Sequence, residues 1–349
     1  MKSGDQTASA IGEPAIEALL AAFATHALVG IGDWHGLAQQ AAFYVDLVSD
    51  PRFARNVRNV VVEFGGAAAQ PIVDRFVDGE AVSYPELRKV WTEVVGWVPT
   101  VLSLGYMRFY AAVRAANLEL PQEQRIRVWL GEPEIDWSTV QTREALKPLL
   151  DARDSHPADL IKKRILAKGE KAVVIYGTGH FLRGGFYNAQ SGSYLPSLLD
   201  LIEKDDPGSL FLVAPYAGST DAACADDFES LCADWPTPAL VQPIKGTRFQ
   251  DILMRPEFRD FDTNPHEDEK ITETQARLMD TLKGATADAL LYLGPSMGLT
   301  ESPVDPSIYL DLDFFNEANR RAELLVQQST SFSEAIGMGT PIPQFIKPR

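Results

Sequence analysis

The sequence predicts an α/β fold: an open, largely parallel sheet with helices on both faces, elaborated by helical and loop insertions. Three observations predict it. Short β-branched runs alternate with segments of helical spacing. Each run contains at least three consecutive apolar residues rather than a strict alternation, as strands covered on both faces do. Most of them end at glycine.

Residues 27–31 (Ala-Leu-Val-Gly-Ile) form the first such strand and end at Gly32. Residues 36–48 then place apolar side chains at helical spacing until Asp50-Pro51 stops them. The second strand, 57–64, holds Val60-Val61-Val62 and closes at Gly65-Gly66. Helical patterns follow over 67–77, 83–93 and 104–117. Residues 125–130 make a third strand before Gly131-Glu132-Pro133. The stretch 142–167 reads as mostly helical despite Pro148 and Pro157. A fourth strand spans 171–176 and ends at Gly177, a helix is expected over 195–203, and a fifth strand over 209–215. From 218 to 265 frequent Pro and Asp predict loops and an excursion. A helix at 272–282, a late strand at 288–293 and a late helix at 312–328 precede an irregular Gly/Pro-rich tail, 337–349. No Pro/Ser linker divides the chain. One elaborated domain over 1–349 is therefore expected, its core at 26–216 joined by the strand and helix of 286–330.

With 349 residues, 45% of them hydrophobic and 23% charged, the chain can bury a sizeable core. The formal net charge of −16 argues against nucleic acid as a partner, because phosphate recognition needs a basic face. It also disfavours a polybasic membrane-surface protein. The apolar stretch 15–32 is interrupted by Glu17, Thr25 and His26, so no transmembrane segment is expected. The opening Met1-Lys2-Ser3-Gly4-Asp5-Gln6 lacks the apolar region of a signal peptide. A cytoplasmic protein and a mature exported form both remain open, with the exported form favoured. Cys224 and Cys232, the only cysteines, can form a disulfide, which would imply export, or can be two unrelated small residues. Nothing nearby completes a zinc site around them.

Of the five histidines, two share a setting. Gly32-Asp33-Trp34-His35 and Gly177-Thr178-Gly179-His180 both follow a predicted strand, and in each the glycine is expected to let the chain turn sharply off it. Ligands of such sheets sit beyond the carboxyl ends of the strands, so the two imidazoles are expected to meet there. Glu63 ends an otherwise apolar strand, where a carboxylate is costly unless paired or functional. Glu132 and Glu134 follow the third strand. Asp33, Glu63 and Glu132 should therefore converge with His35 and His180, while Glu134 is expected in solvent. Trp34, Glu132 and Arg183 are assigned to substrate contact, Arg183 either holding an anionic group or pairing with one of the acids.

Other motifs count for less. Gly294-Pro295-Ser296-Met297-Gly298 matches the nucleophile elbow of α/β-hydrolases, but no histidine lies beyond His266 to complete the required chain order. Leu182 stands where a dinucleotide fingerprint needs its third glycine, and no phosphate loop is present. His26 reads as packed or capping, His156 and His266 as surface residues. Trp91, Trp97, Tyr106 and Tyr110 read as mostly core, with some available to line a cleft.

These residues resemble the group that joins erythromycin esterases, ChaN haem-binding proteins and the Tiki/TraB proteins, in its uncharacterised bacterial branch. The group shares a strand-linked Gly-Asp/Glu-x-His, a Glu ending the next strand and a second Gly-x-x-His, here Gly32-Asp33-Trp34-His35, Glu63 and Gly177-Thr178-Gly179-His180. The resemblance spans roughly residues 28–183 and departs from the esterase pattern at Asp33, one methylene shorter than Glu, and at the bulky Trp34. It implies one of three activities. In the esterase branch a His acts as general base on water without a metal. In the Tiki-like branch two His and a Glu, here His35, His180 and Glu63, bind a divalent metal for peptide cleavage. In the ChaN branch the region handles haem iron. The resulting expectation is a hydrolase with His35, Glu63, His180 and Asp33 as catalytic residues, acting on an ester or amide bond of a small molecule or peptide. A divalent metal ranks ahead of haem as a cofactor. The alternative is a haem- or metal-binding protein using the same histidines without turnover.

Overall fold

The computed structural model describes residues 11–96, 103–188, 192–216, 218–219, 221–255, 269–282 and 286–325. Its centre is an eight-stranded sheet built from β1 (Ile11–Pro14), β2 (Leu28–Asp33), β3 (Arg58–Gly66), β4 (Arg127–Glu132), β5 (Lys171–Gly177), β8 (Leu210–Pro215), β9 (Ala239–Gln242) and β10 (Ala289–Tyr292). A separate ribbon pairs β6 (Phe186–Asn188) with β7 (Ser193–Leu195). The strand order across the large sheet is β1-β9-β10-β8-β2-β5-β3-β4. Pairing is parallel from β10 through β4 and antiparallel where β9 meets β10 and β1.

Alternate residues of the central strands enter opposite cores, which is why the middles of these strands are apolar on consecutive positions. Val60, Val62, Val173 and Ile175 pack into one core with α1 (Ala15–Ala22), α2 (Ala38–Ser49), α3 (Pro51–Asn56), α4 (Gln70–Val77), α5 (Tyr84–Thr92) and α6 (Leu104–Leu118). Val61, Val174 and Tyr176 enter the other, against α8 (Ser155–Arg164), which follows α7 (Arg143–Asp151), and against α9 (Leu198–Glu203). The predicted α/β class with both faces covered is thus present, and the late strand β10 joins the same sheet as β2–β5.

Three expectations need correction. The stretch 218–265, expected as loops, contains α10 (Ala222–Leu231), β9 and α11 (Arg248–Leu253). β9 is only four residues long and lies among Pro and Thr, so it offers no run for a pattern to register. The helix expected from residue 195 begins at Leu198, after the capping-box residue Ser197, because 193–195 pair with β6. Cys224 and Cys232 are free buried thiols rather than a disulfide. They are separated along α10 by more than two turns, about 12 Å of rise, where a disulfide needs Cα atoms within about 7 Å. The expected export therefore loses that support. No helix among the described residues is long and apolar enough to cross a membrane. α12 (Glu269–Leu282) and α13 (Leu312–Leu325) complete the described helices, and His266, Trp97 and the tail 337–349 lie outside the described residues.

Candidate active site

β2, β5, β3 and β4 are neighbours, so their carboxyl ends lie side by side. Asp33 is the last residue of β2 and is level with Gly177, the last of β5. Glu63 falls where the β3–β4 ladder shifts register between Val62 and Gly66, an irregularity that frees its side chain from the regular pleat. Glu132 ends β4, and His180 sits in the single 3-10 turn, Thr178–Phe181, that leaves β5.

His35 Nδ1 lies 2.8 Å from Asp33 Oδ2, so the ring donates there and carries its lone pair on Nε2 when neutral. Asp33 also accepts from the Tyr44 hydroxyl at 2.8 Å and the Tyr106 hydroxyl at 3.1 Å, which satisfies a carboxylate that is almost fully buried. Burial and the adjacent Asp33 push both phenols well above the usual tyrosine range, so they remain donors. Gln40, fully buried, pins the turn from within, accepting from Trp34 N and donating to Gly32 O.

Glu63 is the hub. Its Oε1 accepts from Arg153 at 2.5 Å and lies 3.3 Å from His180 Nε2. Its Oε2 accepts from Gly177 N–H at 2.5 Å and lies 3.7 Å from His35 Nε2. Burial alone would raise its pKa, but His180, His35 and Arg153 outweigh that and hold it well below the usual carboxylate range. His180 is clamped on its other side by Asp154, with Nδ1 at 2.9 Å from Oδ1. Burial would lower the pKa of His180, yet Asp154 and Glu63 push it up to about 10, so the ring is an imidazolium at neutral pH. His35, with about a third of its side chain exposed, is raised above 6.5: Glu63 and Asp33 outweigh burial and the opposing charge of His180.

The two Gly-x-x-His segments do converge, but the glycines act differently from the expectation. Gly177 has an ordinary φ of −48°. What it supplies is room, since a Cβ there would stand 2.7 Å from His35 Nε2 and 3.2 Å from Glu63 Oε2. The sharp turn comes after His35, at Gly36, with φ +82°.

Asp33, Trp34, His35, Glu63, Arg153 and His180 line a cavity of about 410 Å³, within the range of small-molecule sites. Trp34 is half-buried at its rim. Glu132 does not line it. Glu132 is buried and saturated by Arg153 Nε at 2.8 Å and the N–H groups of Val95 and Gly96, so it holds Arg153 rather than a substrate. Arg183 leaves the site as well and pairs with Glu203, an acid outside the expected set. Glu134 is exposed, as expected. His156, expected on the surface, is half-buried with Nδ1 2.8 Å from Gly131 O. That bond docks the start of α8 on the end of β4, a tertiary contact with no local trace in the sequence.

Arg153 and Asp154 are the residues that sequence reasoning missed. They occupy the turn between α7 and α8, inside the stretch 142–167 that reads as mostly helical, where Asp-Ala-Arg-Asp-Ser gives no local sign of a site. Tyr44 lies within a helical pattern that predicts packing, and Tyr106, read as mostly core, donates to Asp33.

A divalent metal does not fit this donor set. Both Glu63 oxygens already accept hydrogen bonds, Oε1 from Arg153 and Oε2 from Gly177 N–H, and Arg153 supplies the positive charge that a metal ion would bring. Among the described residues, no group of three His, Cys, Asp or Glu is arranged to hold one.

No protein-family model matches the sequence, and no curated protein matches it either. Several solved structures are similar to it at low identity. A Bacillus cereus protein aligns with a TM-score of 0.46 at 11% identity, over 82% of this chain and 95% of that one. The type III effector HopBA1 aligns with a TM-score of 0.36 at 12% identity, over 61% of this chain and 88% of that one. RRSP, a MARTX toxin effector domain from Vibrio vulnificus, aligns with a TM-score of 0.38 at 15% identity, over 57% of this chain. The chain spans 35% of the length of that toxin chain. Likeness this distant carries no statement about chemistry.

Proposed function

We propose that the protein is a hydrolase that adds water to an ester or amide bond of a small molecule or peptide, with His35 rather than a metal ion activating the water. The observation that carries this reading is the Asp33–His35 pair: the 2.8 Å bond at Nδ1 fixes the tautomer and leaves Nε2 facing the cavity beside an ionised Glu63. A water within reach of both Nε2 and Glu63 Oε2 is oriented by the carboxylate and loses its proton to the imidazole as its oxygen adds to the carbonyl carbon. The resulting oxyanion develops in a cavity lined by two fixed positive charges, Arg153 and His180. Collapse breaks the bond to the leaving group, and His35 returns the proton to it, giving an acid and an alcohol or amine. His180 acts as a fixed cation rather than as a second base. The meeting of both Gly-x-x-His segments at Glu63 also supports placing the chain with the erythromycin esterase, ChaN and Tiki/TraB group, on the metal-free side of it.

The test is hydrolysis of a panel of simple esters and peptide amides by protein stripped with EDTA. Turnover should survive EDTA, and His35→Ala should reduce kcat/KM by a factor of about 10² to 10⁴. Loss of turnover on EDTA treatment, restored by a divalent metal, would overturn the metal-free mechanism. A Soret band on haem titration with no turnover on any substrate would replace the hydrolase with a binding protein.

A further inference from the structure

We infer that the substrate carries an apolar group, aromatic or branched aliphatic, beside its scissile bond, and that this group lodges in a second cavity adjoining the first. The inference rests on the hydrolytic reading above and adds the substrate class to it. The second cavity measures about 340 Å³, and Leu150, Leu182, Phe186, Tyr187 and Leu278 form its wall. It adjoins the His35–Glu63 cavity, because Arg153, Gly179, His180 and Leu278 line both. Gly179 borders open space, where a Cβ would meet nothing within 4 Å.

The polar groups are concentrated at the shared end. Arg153 is committed to Glu63 and Glu132, and Asp154 Oδ1 to His180 and the Leu198 N–H. Away from that end, the Thr274 hydroxyl accepts from Tyr187 N–H and donates to Lys270 O, so it has little left for a ligand. A charged or strongly hydrogen-bonding substituent would lose its water there without recovering partners, whereas a phenyl or branched alkyl group would gain contact on several sides. One side of the wall comes from α12 and β6, held together by Tyr187 N–H to Thr274 and, just before β6, by Arg277 to Gly184 O. A pocket tied in this way and opening onto the reacting carbonyl selects substrates by shape.

The test compares methyl acetate, methyl phenylacetate and benzyl acetate by proton release, with phenylacetamide binding followed by NMR on the full chain. At least one phenyl ester should exceed methyl acetate in kcat/KM by about tenfold or more. Thr274→Phe, which fills the cavity from α12, should bring that ratio towards one and weaken phenylacetamide binding by a similar factor. Turnover of methyl acetate with no gain for either phenyl ester overturns this inference and leaves the hydrolase standing. Phenylacetamide binding that Thr274→Phe abolishes, without turnover of any ester or amide, supports the subsite and sinks the hydrolase. Absence of both binding and preference overturns the subsite outright, whether or not Thr274→Phe folds.

Discussion

Two neighbouring stretches of the sheet's carboxyl edge meet the same design problem and solve it differently. At the carboxyl ends of β2, β5 and β3, carboxylates and imidazoles share an open cavity, and among the described residues His35 Nε2 has no hydrogen-bond partner, with Glu63 Oε2 3.7 Å away. At the ends of β8 and β10 a carboxylate is also present, Glu229, but it is consumed. Its Oε1 accepts from the Tyr216 hydroxyl at 2.9 Å and from Ser296 N–H at 2.8 Å, among Phe228 and Tyr292. Ser296, the candidate elbow serine, is buried, and a Cβ on Gly218 would stand 2.6 Å from its Cβ. A strand exit supplies position. Chemistry needs, in addition, a lone pair left facing space that a ligand can enter.

Removing the cation from the first network should have the largest effect. Arg153→Met leaves Glu63 and Glu132 buried without their shared counter-ion and should cost about 3–5 kcal/mol of stability in urea unfolding. A loss below about 1 kcal/mol would mean that the network is wetter than its burial indicates. Next comes the pair that orients the base. Asp33→Asn should lower kcat/KM about a hundredfold or more with the fold retained, while Ser296→Ala should stay within about twofold. A serine variant as damaged as the aspartate variant would move the chemistry to the β8–β10 stretch of that edge.

The smallest effect is the one of pH. His35 must be neutral to accept a proton and its pKa lies above 6.5, so kcat/KM should rise through a pKa above that value and fall again near 10 as His180 loses its charge. Stability follows the same clamp. The folded pKa of His180 lies above its unfolded value, so its contribution is full below about 6.5 and fades as pH rises to about 10. Urea midpoints of the parent and of His180→Gln should therefore converge across that window. Parallel curves would mean that the ring is not clamped as a cation.

Much of this was legible in the chain. Val60-Val61-Val62 and Ala172-Val173-Val174-Ile175 announce doubly covered strands because consecutive positions are apolar, and the glycines near their ends mark the exits where Asp33, His35, Glu63 and His180 stand. β9 was not legible, since four residues between prolines carry no period. Nor was the turn between α7 and α8: nothing local distinguishes an arginine bound to two buried carboxylates from one in solvent, and the partners of Arg153 lie 90 and 21 residues away.

The chain alone determined which side chains gather at the sheet's edge, because apolar periodicity and glycine punctuation are local properties of the polymer. Tertiary packing decided their charge states and therefore their roles. A protonation state depends on which charges lie within a few ångströms, and here those neighbours arrive from other elements: Arg153 beside Glu63, Asp154 beside His180, and Tyr106 on Asp33.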